Sequence, residues 1–138
     1  MNEYLIIKDP VNGEIIDKYK YTKEGFKKVP YYSFDSKMLG KIKPKDTYQH
    51  LIMDSLSTNK ITMIRGSAGT GKSFLALGYL FEQLEKGKID RIIVFCNTVA
   101  TMGSAKLGFY PGTRDEKLLD SQIGNFLASK LGDKIIVE

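Results

Sequence analysis

The sequence predicts an α/β fold whose second half is a parallel sheet flanked by helices. Three observations lead to this class. A short strand-like run, residues 60–65, passes directly into a glycine-rich loop, residues 66–73. A helical pattern over residues 74–86 follows the loop, and an apolar run over 91–96 follows the helix. Because a strand, a helix and a second strand in this spacing form a crossover unit, the two strands are expected to lie parallel.

The length and composition are those of one ordinary globular domain. The chain has 138 residues, 42% hydrophobic and 27% charged, and its 21 Lys and Arg against 16 Asp and Glu give a net charge of +5. One cysteine and one histidine exclude a disulfide framework within the chain and a classical zinc cluster. The sequence has neither a membrane-length apolar run nor a secretory signal pattern, so we expect a cytoplasmic protein with no membrane partner.

Residues 1–43 are predicted to form a β-rich, basic N-terminal segment. Residues 4–7 on one side and Ile15, Ile16, Tyr19 and Tyr21 on the other flank the turn sequence of residues 9–13, in which Asn-Gly favours a tight hairpin turn. Residues 22–43 have no clear periodicity, so we expect them to be irregular, with one short strand.

Lysines and aromatic residues are concentrated in residues 18–45. This segment has nine lysines against two acidic residues, interleaved with six aromatic residues. Lysines that follow a phosphate backbone and aromatic rings that stack on bases would make it a nucleic-acid-binding module, with nucleotide as a regulatory ligand. The alternative is a hairpin with its lysines on the solvent face and its tyrosines on the packed face.

A helix is predicted to begin after Pro44 and to end near Asn59. Asp46 is suited to cap it, and Gln49 three positions later completes a capping-box pattern. The Gln49 amide both donates and accepts hydrogen bonds, which also matches the adenine edge. Capping and adenine recognition are therefore alternative roles for this one side chain.

The glycine-rich loop, residues 66–73, fits the Walker A pattern of a glycine, four residues and Gly-Lys-Ser. Its glycines let backbone N–H groups surround a phosphate, and the N-terminus of the following helix favours an anion. Lys72 is predicted to reach the β- and γ-phosphates of ATP as the catalytic residue, and Ser73 to bind Mg²⁺. The predicted ATP-binding residues are Gln49, Gly66, Ser67, Ala68, Gly69, Thr70, Gly71, Lys72, Ser73 and Phe74.

Residues 44–138 are therefore predicted to form a P-loop NTPase domain of the RecA-like type, a parallel sheet with helices on both faces. Beyond the second strand we expect a helix over residues 115–131 and a third strand from residue 134. The second strand ends in Cys96-Asn97 and not in the acidic residue that usually assists Mg²⁺. We therefore expect a truncated domain and an ATPase that is weak or inactive in this chain alone.

The sequence resembles the PhoH-like proteins over residues 41–125. The residues that carry the resemblance are Pro44-Lys45, Gln49, the loop 66–73, Arg91-Ile92-Ile93, the segment 106–112 and Glu116-Lys117. The resemblance implies a bacterial or phage ATP-binding protein with a core like that of superfamily 1 helicases. It also implies that Gly69, Gly71, Lys72 and Ser73 contact phosphate and Mg²⁺, and it favours the adenine role for Gln49.

The resemblance also bears on partners. Some members of the family are linked to RNA unwinding or RNA processing, which implies RNA or another single-stranded nucleic acid as a partner. Homo-oligomers are a second open option. The chain departs from the family at residues 97–98, which are Asn-Thr where the family commonly has Arg-Pro. A fragment of another P-loop helicase, or a kinase, is the remaining alternative, and the segment 106–112 argues against it through the resemblance.

Overall fold

A computed structural model describes residues 3–95. They cover almost all of one compact unit, residues 1–90, and the first five residues of a second unit, residues 91–138. The described secondary structure consists of five strands followed by two helices. Neither helix in this described part is long and apolar enough to cross a lipid bilayer. The proposed boundary between residues 43 and 44 stays a prediction.

The predicted N-terminal hairpin is confirmed. Strands β1 (Tyr4–Lys8) and β2 (Ile15–Thr22) pair antiparallel, with Tyr4 opposite Lys20. The turn between them is held by the Asp9 side chain, whose Oδ1 accepts a hydrogen bond of 2.7 Å from the backbone N–H of Val11. Gly13 closes the turn with a φ of 72°, a left-handed conformation that favours glycine.

The expectation of one short strand in residues 22–43 was wrong, because three strands lie there. Strand β3 (Gly25–Lys28) pairs antiparallel with β2 and completes a three-stranded sheet in the order β1-β2-β3. Strands β4 (Phe34–Ser36) and β5 (Gly40–Ile42) form a separate antiparallel pair. Strands of three or four residues are too short to show an alternating pattern, so their pairing partners define them instead.

Both predicted helices of the described part are confirmed. Helix α1 (Thr47–Thr58) begins after Asp46, whose Oδ1 accepts a hydrogen bond of 2.8 Å from the backbone N–H of Gln49. Helix α2 (Lys72–Glu85) begins two residues earlier than predicted, directly at the end of the glycine-rich loop. Gly87, with a φ of 65°, follows the last residues of α2 in the left-handed conformation common after helix ends.

The hydrophobic core joins the β4–β5 pair to the two helices. Its buried members are Phe34, Ile42, Met53 and Leu75. Partly buried side chains pack around them, namely Tyr32, Leu39, Ile52, Leu56, Phe74 and Tyr79. Because Leu75 and Phe74 lie on the first turn of α2, the core fixes the end of this helix that follows the glycine-rich loop.

Helix α2 packs against strand β5 at Gly78, where a Cβ atom would overlap Cδ1 of Ile42. We expect Gly78→Ala to lower the free energy of unfolding by about 1 kcal/mol, because overpacking outweighs the better helix propensity of alanine. In an Ile42→Val background, which lacks Cδ1, the same substitution should be neutral or stabilising. Urea unfolding of the four proteins measures this difference, and an equal cost in both backgrounds would contradict the packing argument.

The strands predicted on either side of α2 are not formed in the described residues. Residues 60–66 and 91–95 are not part of any strand. Ile61 and Met63 are 89% and 86% exposed. A strand is defined by its hydrogen-bonded neighbours, and the described residues provide none for either segment. The parallel sheet therefore stays a prediction. Cys96, the helix over 115–131 and the strand from 134 lie outside the described residues.

Candidate nucleotide-binding site

The glycine-rich loop turns the chain into helix α2 through two left-handed glycines. Gly69 has a φ of 75° and Gly71, the residue that precedes the helix, has a φ of 82°. A side chain at either position would be strained, so glycine is required by the backbone path. The helix then begins at once with Lys72 and Ser73. Its first N–H groups have no carbonyl partner within the helix, and the peptide dipoles make this end positive.

The Lys72 ammonium group lies against the loop itself. Nζ donates a hydrogen bond of 2.9 Å to the carbonyl oxygen of Gly66, another of 3.2 Å to Oγ1 of Thr70, and a third to the carbonyl oxygen of Ser67. Oγ1 of Thr70 in turn donates a bond of 2.9 Å to the Ser67 carbonyl. The loop thus holds a positive charge at the start of α2, where it is suited to an anionic ligand.

Gln49 joins helix α1 to the glycine-rich loop. Its Nε2 donates a hydrogen bond of 3.2 Å to the carbonyl oxygen of Thr70, and its Oε1 accepts one of 2.9 Å from the backbone N–H of Lys45. The capping-box prediction was therefore wrong in one half, because the Gln49 side chain returns to Lys45 and not to Asp46. Oε1 keeps a second lone pair and Nε2 a second hydrogen, so the amide can still bind a ligand edge.

A pocket of about 390 Å³ lies between the start of α1 and the loop. Its lining residues are Ile42, Lys43, Lys45, Asp46, Gln49, Gly69, Thr70, Gly71, Phe74 and Leu75. The volume falls within the range of pockets that hold small molecules. Five predicted site residues line it: Gln49, Gly69, Thr70, Gly71 and Phe74. Of the others, Lys72 bonds to the loop carbonyls, while Gly66, Ser67, Ala68 and Ser73 are exposed and do not line it.

Comparison with known protein families shows to which family this chain belongs. A family model described as PhoH-like protein matches residues 41–135. The chain belongs to the PhoH-like family. The predicted resemblance is therefore confirmed, and membership indicates a P-loop protein of the nucleotide-binding type.

Curated PhoH-like relatives share the same region. A PhoH-like protein of Mycobacterium bovis is 36% identical over 77 residues, which cover 56% of this chain and 21% of that protein. Protein PhoH2 of Bacillus subtilis is 30% identical over 124 residues, covering 85% of this chain and 26% of that protein. The chain thus spans about a quarter or less of the length of these relatives. No solved structure matches it.

The donors present in this PhoH-like chain fit a nucleotide that brings its own Mg²⁺. Within residues 3–95, no group of three or more His, Cys, Asp or Glu side chains is placed to hold a metal ion. Mg²⁺ bound to a nucleotide does not need such a cage, because phosphate oxygens and waters fill most of its coordination shell. The exposed Ser73 hydroxyl, on the first turn of α2, is suited to supply one further ligand. Its Mg²⁺ role stays a prediction.

A buried polar cluster on α1 was missed by the sequence analysis of this PhoH-like chain. The side chain of Asp54 is 3% exposed, and its Oδ2 accepts hydrogen bonds of 2.6 Å from the Tyr4 hydroxyl and 3.1 Å from Nζ of Lys20. Nζ of Lys20 also donates to Oγ1 of Thr58. No local pattern in the sequence indicates this cluster, because Lys20 and Asp54 are 34 positions apart.

The cluster raises the pKa of two tyrosines. Burial and the Asp54 carboxylate raise the pKa of Tyr4 above its ordinary range. Burial, followed by a hydrogen bond to Asp54, raises the pKa of Tyr32 to about 12. The raised pKa of Tyr4 agrees with its hydroxyl acting as a donor to the carboxylate.

The alternative of lysines on a solvent face and tyrosines on a packed face holds only in part, because Lys27 and Lys28 are exposed as expected but Lys20 is not. Lys20 is buried against α1, whereas Tyr21 and Phe26 are 43% and 60% exposed on the opposite face of the sheet. The physical reason is that the Lys20 methylenes pack while its ammonium group reaches Asp54. Two further lysines of the same sheet form ion pairs, Lys27 with Glu24 and Lys28 with Asp17. Nucleic-acid binding by residues 18–45 stays a prediction.

Proposed function

We propose that this chain binds Mg-ATP between helix α1 and the glycine-rich loop, as the nucleotide-cradling part of a PhoH-like ATPase. One observation carries the proposal. The Gln49 side chain is bonded to Thr70 of the loop, so an amide suited to a base edge lies beside a glycine-rich backbone suited to phosphate. The pocket of about 390 Å³ between them has room for a small ligand.

The phosphate end of the nucleotide is assigned to the loop and to the start of α2. Backbone N–H groups around Gly69 and Gly71 and the positive helix end favour the phosphates. Lys72 exchanges its carbonyl acceptors for phosphate oxygens, which are stronger partners because they are charged. Ser73 adds its hydroxyl to the Mg²⁺ that the phosphates carry.

The adenine end is assigned to the remainder of the pocket. Ile42, Phe74 and Leu75 provide an apolar wall for the base. The unused hydrogen of Gln49 Nε2 and the second lone pair of Oε1 match the N7 acceptor and N6 donor of adenine. Guanine has an acceptor in place of the amino group, so the same amide satisfies it less well.

Gln49→Ala is expected to weaken Mg-ATP binding by about tenfold and to weaken Mg-GTP binding less, since only adenine uses both amide atoms. Isothermal titration calorimetry of the two nucleotides measures the change in preference. Gln83→Ala, on helix α2 and outside the pocket lining, is the matched control and should behave like the unchanged protein. An equal loss for both nucleotides would remove the base-recognition role of Gln49.

RNA is proposed as the macromolecular partner, supported by the family resemblance and by the exposed rings of Tyr21 and Phe26, whose centroids lie 5.1 Å apart. We expect binding of single-stranded RNA that falls steeply as salt rises, because lysine–phosphate contacts release counterions. Fluorescence anisotropy with a labelled RNA measures the slope, and Tyr21→Ala should reduce the affinity. Absence of binding at low salt would contradict this part of the proposal.

A further inference from the structure

Helix α1 is held at two points along its length. In its first turn, Nε2 of Gln49 donates a hydrogen bond of 3.2 Å to the carbonyl oxygen of Thr70 in the glycine-rich loop. Five residues later, the Asp54 side chain is bonded to the three-stranded sheet. A helix of 12 residues is a stiff body of roughly 18 Å. A displacement at Asp54 is therefore transmitted to Gln49.

The contact with the sheet is a specific buried ion pair. Tyr4 and Lys20 lie opposite each other on β1 and β2, and both donate to Oδ2 of Asp54. The side chains of Lys20 and Asp54 are 11% and 3% exposed, so water cannot readily replace either partner. Thr58, one turn beyond Asp54 on α1, accepts a second hydrogen bond from Lys20. Lys20 of the sheet thus contacts α1 at two successive turns of the helix.

The contact with the loop leaves little room for movement. A Cβ atom at Gly71 would lie 3.3 Å from Nε2 of Gln49, so the amide already packs closely against the loop backbone. Its hydrogen bond to Thr70 is near the long end of the usual range. A small shift of α1 therefore breaks this bond and misplaces the amide.

We infer that Lys20 and Asp54 are positioning residues for the nucleotide site, which act through α1 on Gln49. The inference rests on the proposed binding of Mg-ATP and extends it to residues that lie outside the pocket. Tyr4 and Lys20 precede residues 41–135, the part that matches the family, so the N-terminal sheet is an additional determinant of nucleotide affinity in this chain. It acts mainly on the base end of the ligand, because the α1 side chain at the site is the Gln49 amide, whereas Lys72 is reached only indirectly, through Thr70.

The decisive experiment is a double-mutant cycle on nucleotide affinity in the full chain. Lys20→Met should weaken Mg-ATP binding at least about fivefold, a typical size for coupling between sites. In a Gln49→Ala background the same substitution should change the affinity by less than about twofold, because the residue through which it acts is absent. Lys23→Met, in the exposed turn between β2 and β3, is the matched control and should leave the affinity unchanged.

A second probe separates positioning from general destabilisation. Tripolyphosphate with Mg²⁺ has no base, so its own dissociation constant, measured by direct titration, should be the same in the Lys20→Met and unchanged proteins. Thr58→Val removes one acceptor of Lys20 and gives a folded alternative if Lys20→Met unfolds, with a smaller loss in the same direction. Equal losses for both ligands, or an undiminished effect in the Gln49→Ala background, would overturn the inference. Failure of the unchanged protein to bind Mg-ATP would instead overturn the proposed function.

Discussion

Replacing Lys72 by alanine is expected to abolish measurable Mg-ATP binding. The Lys72 ammonium group bonds to Gly66, Ser67 and Thr70, so the substitution removes both the positive charge and three hydrogen bonds within the loop. Without it, the phosphates lose a charged partner, and each hydrogen bond to a charged group contributes about 1.5–3 kcal/mol. Several such contacts together correspond to a loss of more than a hundredfold. Isothermal titration calorimetry at fixed Mg²⁺ measures the affinity.

The control for this result must remove a lysine without touching the loop. Lys23→Ala changes the net charge equally, and Lys23 is exposed in the turn between β2 and β3. It should bind Mg-ATP like the unchanged protein. Since Lys72 also holds the loop, the unfolding curve of Lys72→Ala must be compared as well. A folded Lys72→Ala protein that retains the original affinity would show that the loop does not bind the nucleotide phosphates.

The features of the fold around the candidate site that the sequence predicted correctly depend on local signals. Asp46 caps α1 through an N–H group only three residues away, and the glycine-rich loop leads directly into α2. Such features need only a few consecutive residues, so they are visible before any folding is considered. The same holds for the hairpin, in which Asp9 and Gly13 lie within one turn.

The parts that were missed depend on residues that are distant in the sequence. Lys20 and Asp54 are separated by 34 positions, and neither residue alone predicts a buried ion pair. Lysine is usually exposed, so its place in an amphiphilic strand favoured the solvent face. The link from Gln49 to Thr70 spans 21 positions, and only the folded structure shows it. Spacing alone left capping and adenine recognition as alternative roles for this side chain.

Asp54→Ala is expected to lower the free energy of unfolding by about 3 kcal/mol or more, the typical cost of breaking a buried ion pair from one side. The substitution leaves the Lys20 ammonium group buried with Thr58 as its remaining partner, and it removes the acceptor of the Tyr4 hydroxyl. Since small domains are stable by only about 5–15 kcal/mol, this is a large fraction of the total. Urea unfolding followed by circular dichroism measures it.

A double variant tests whether this cost comes from the unpaired buried charge or only from the lost contacts. In the double variant Lys20→Met with Asp54→Ala, no buried charge is left, so its cost should be smaller than the sum of the two single costs by at least about 1 kcal/mol. Asp90→Ala, at an exposed position in the same unit, should cost less than about 0.5 kcal/mol. Strictly additive costs would show that the two side chains stabilise the fold independently. The N-terminal sheet would then be attached to α1 by packing, because the ion pair would contribute nothing of its own.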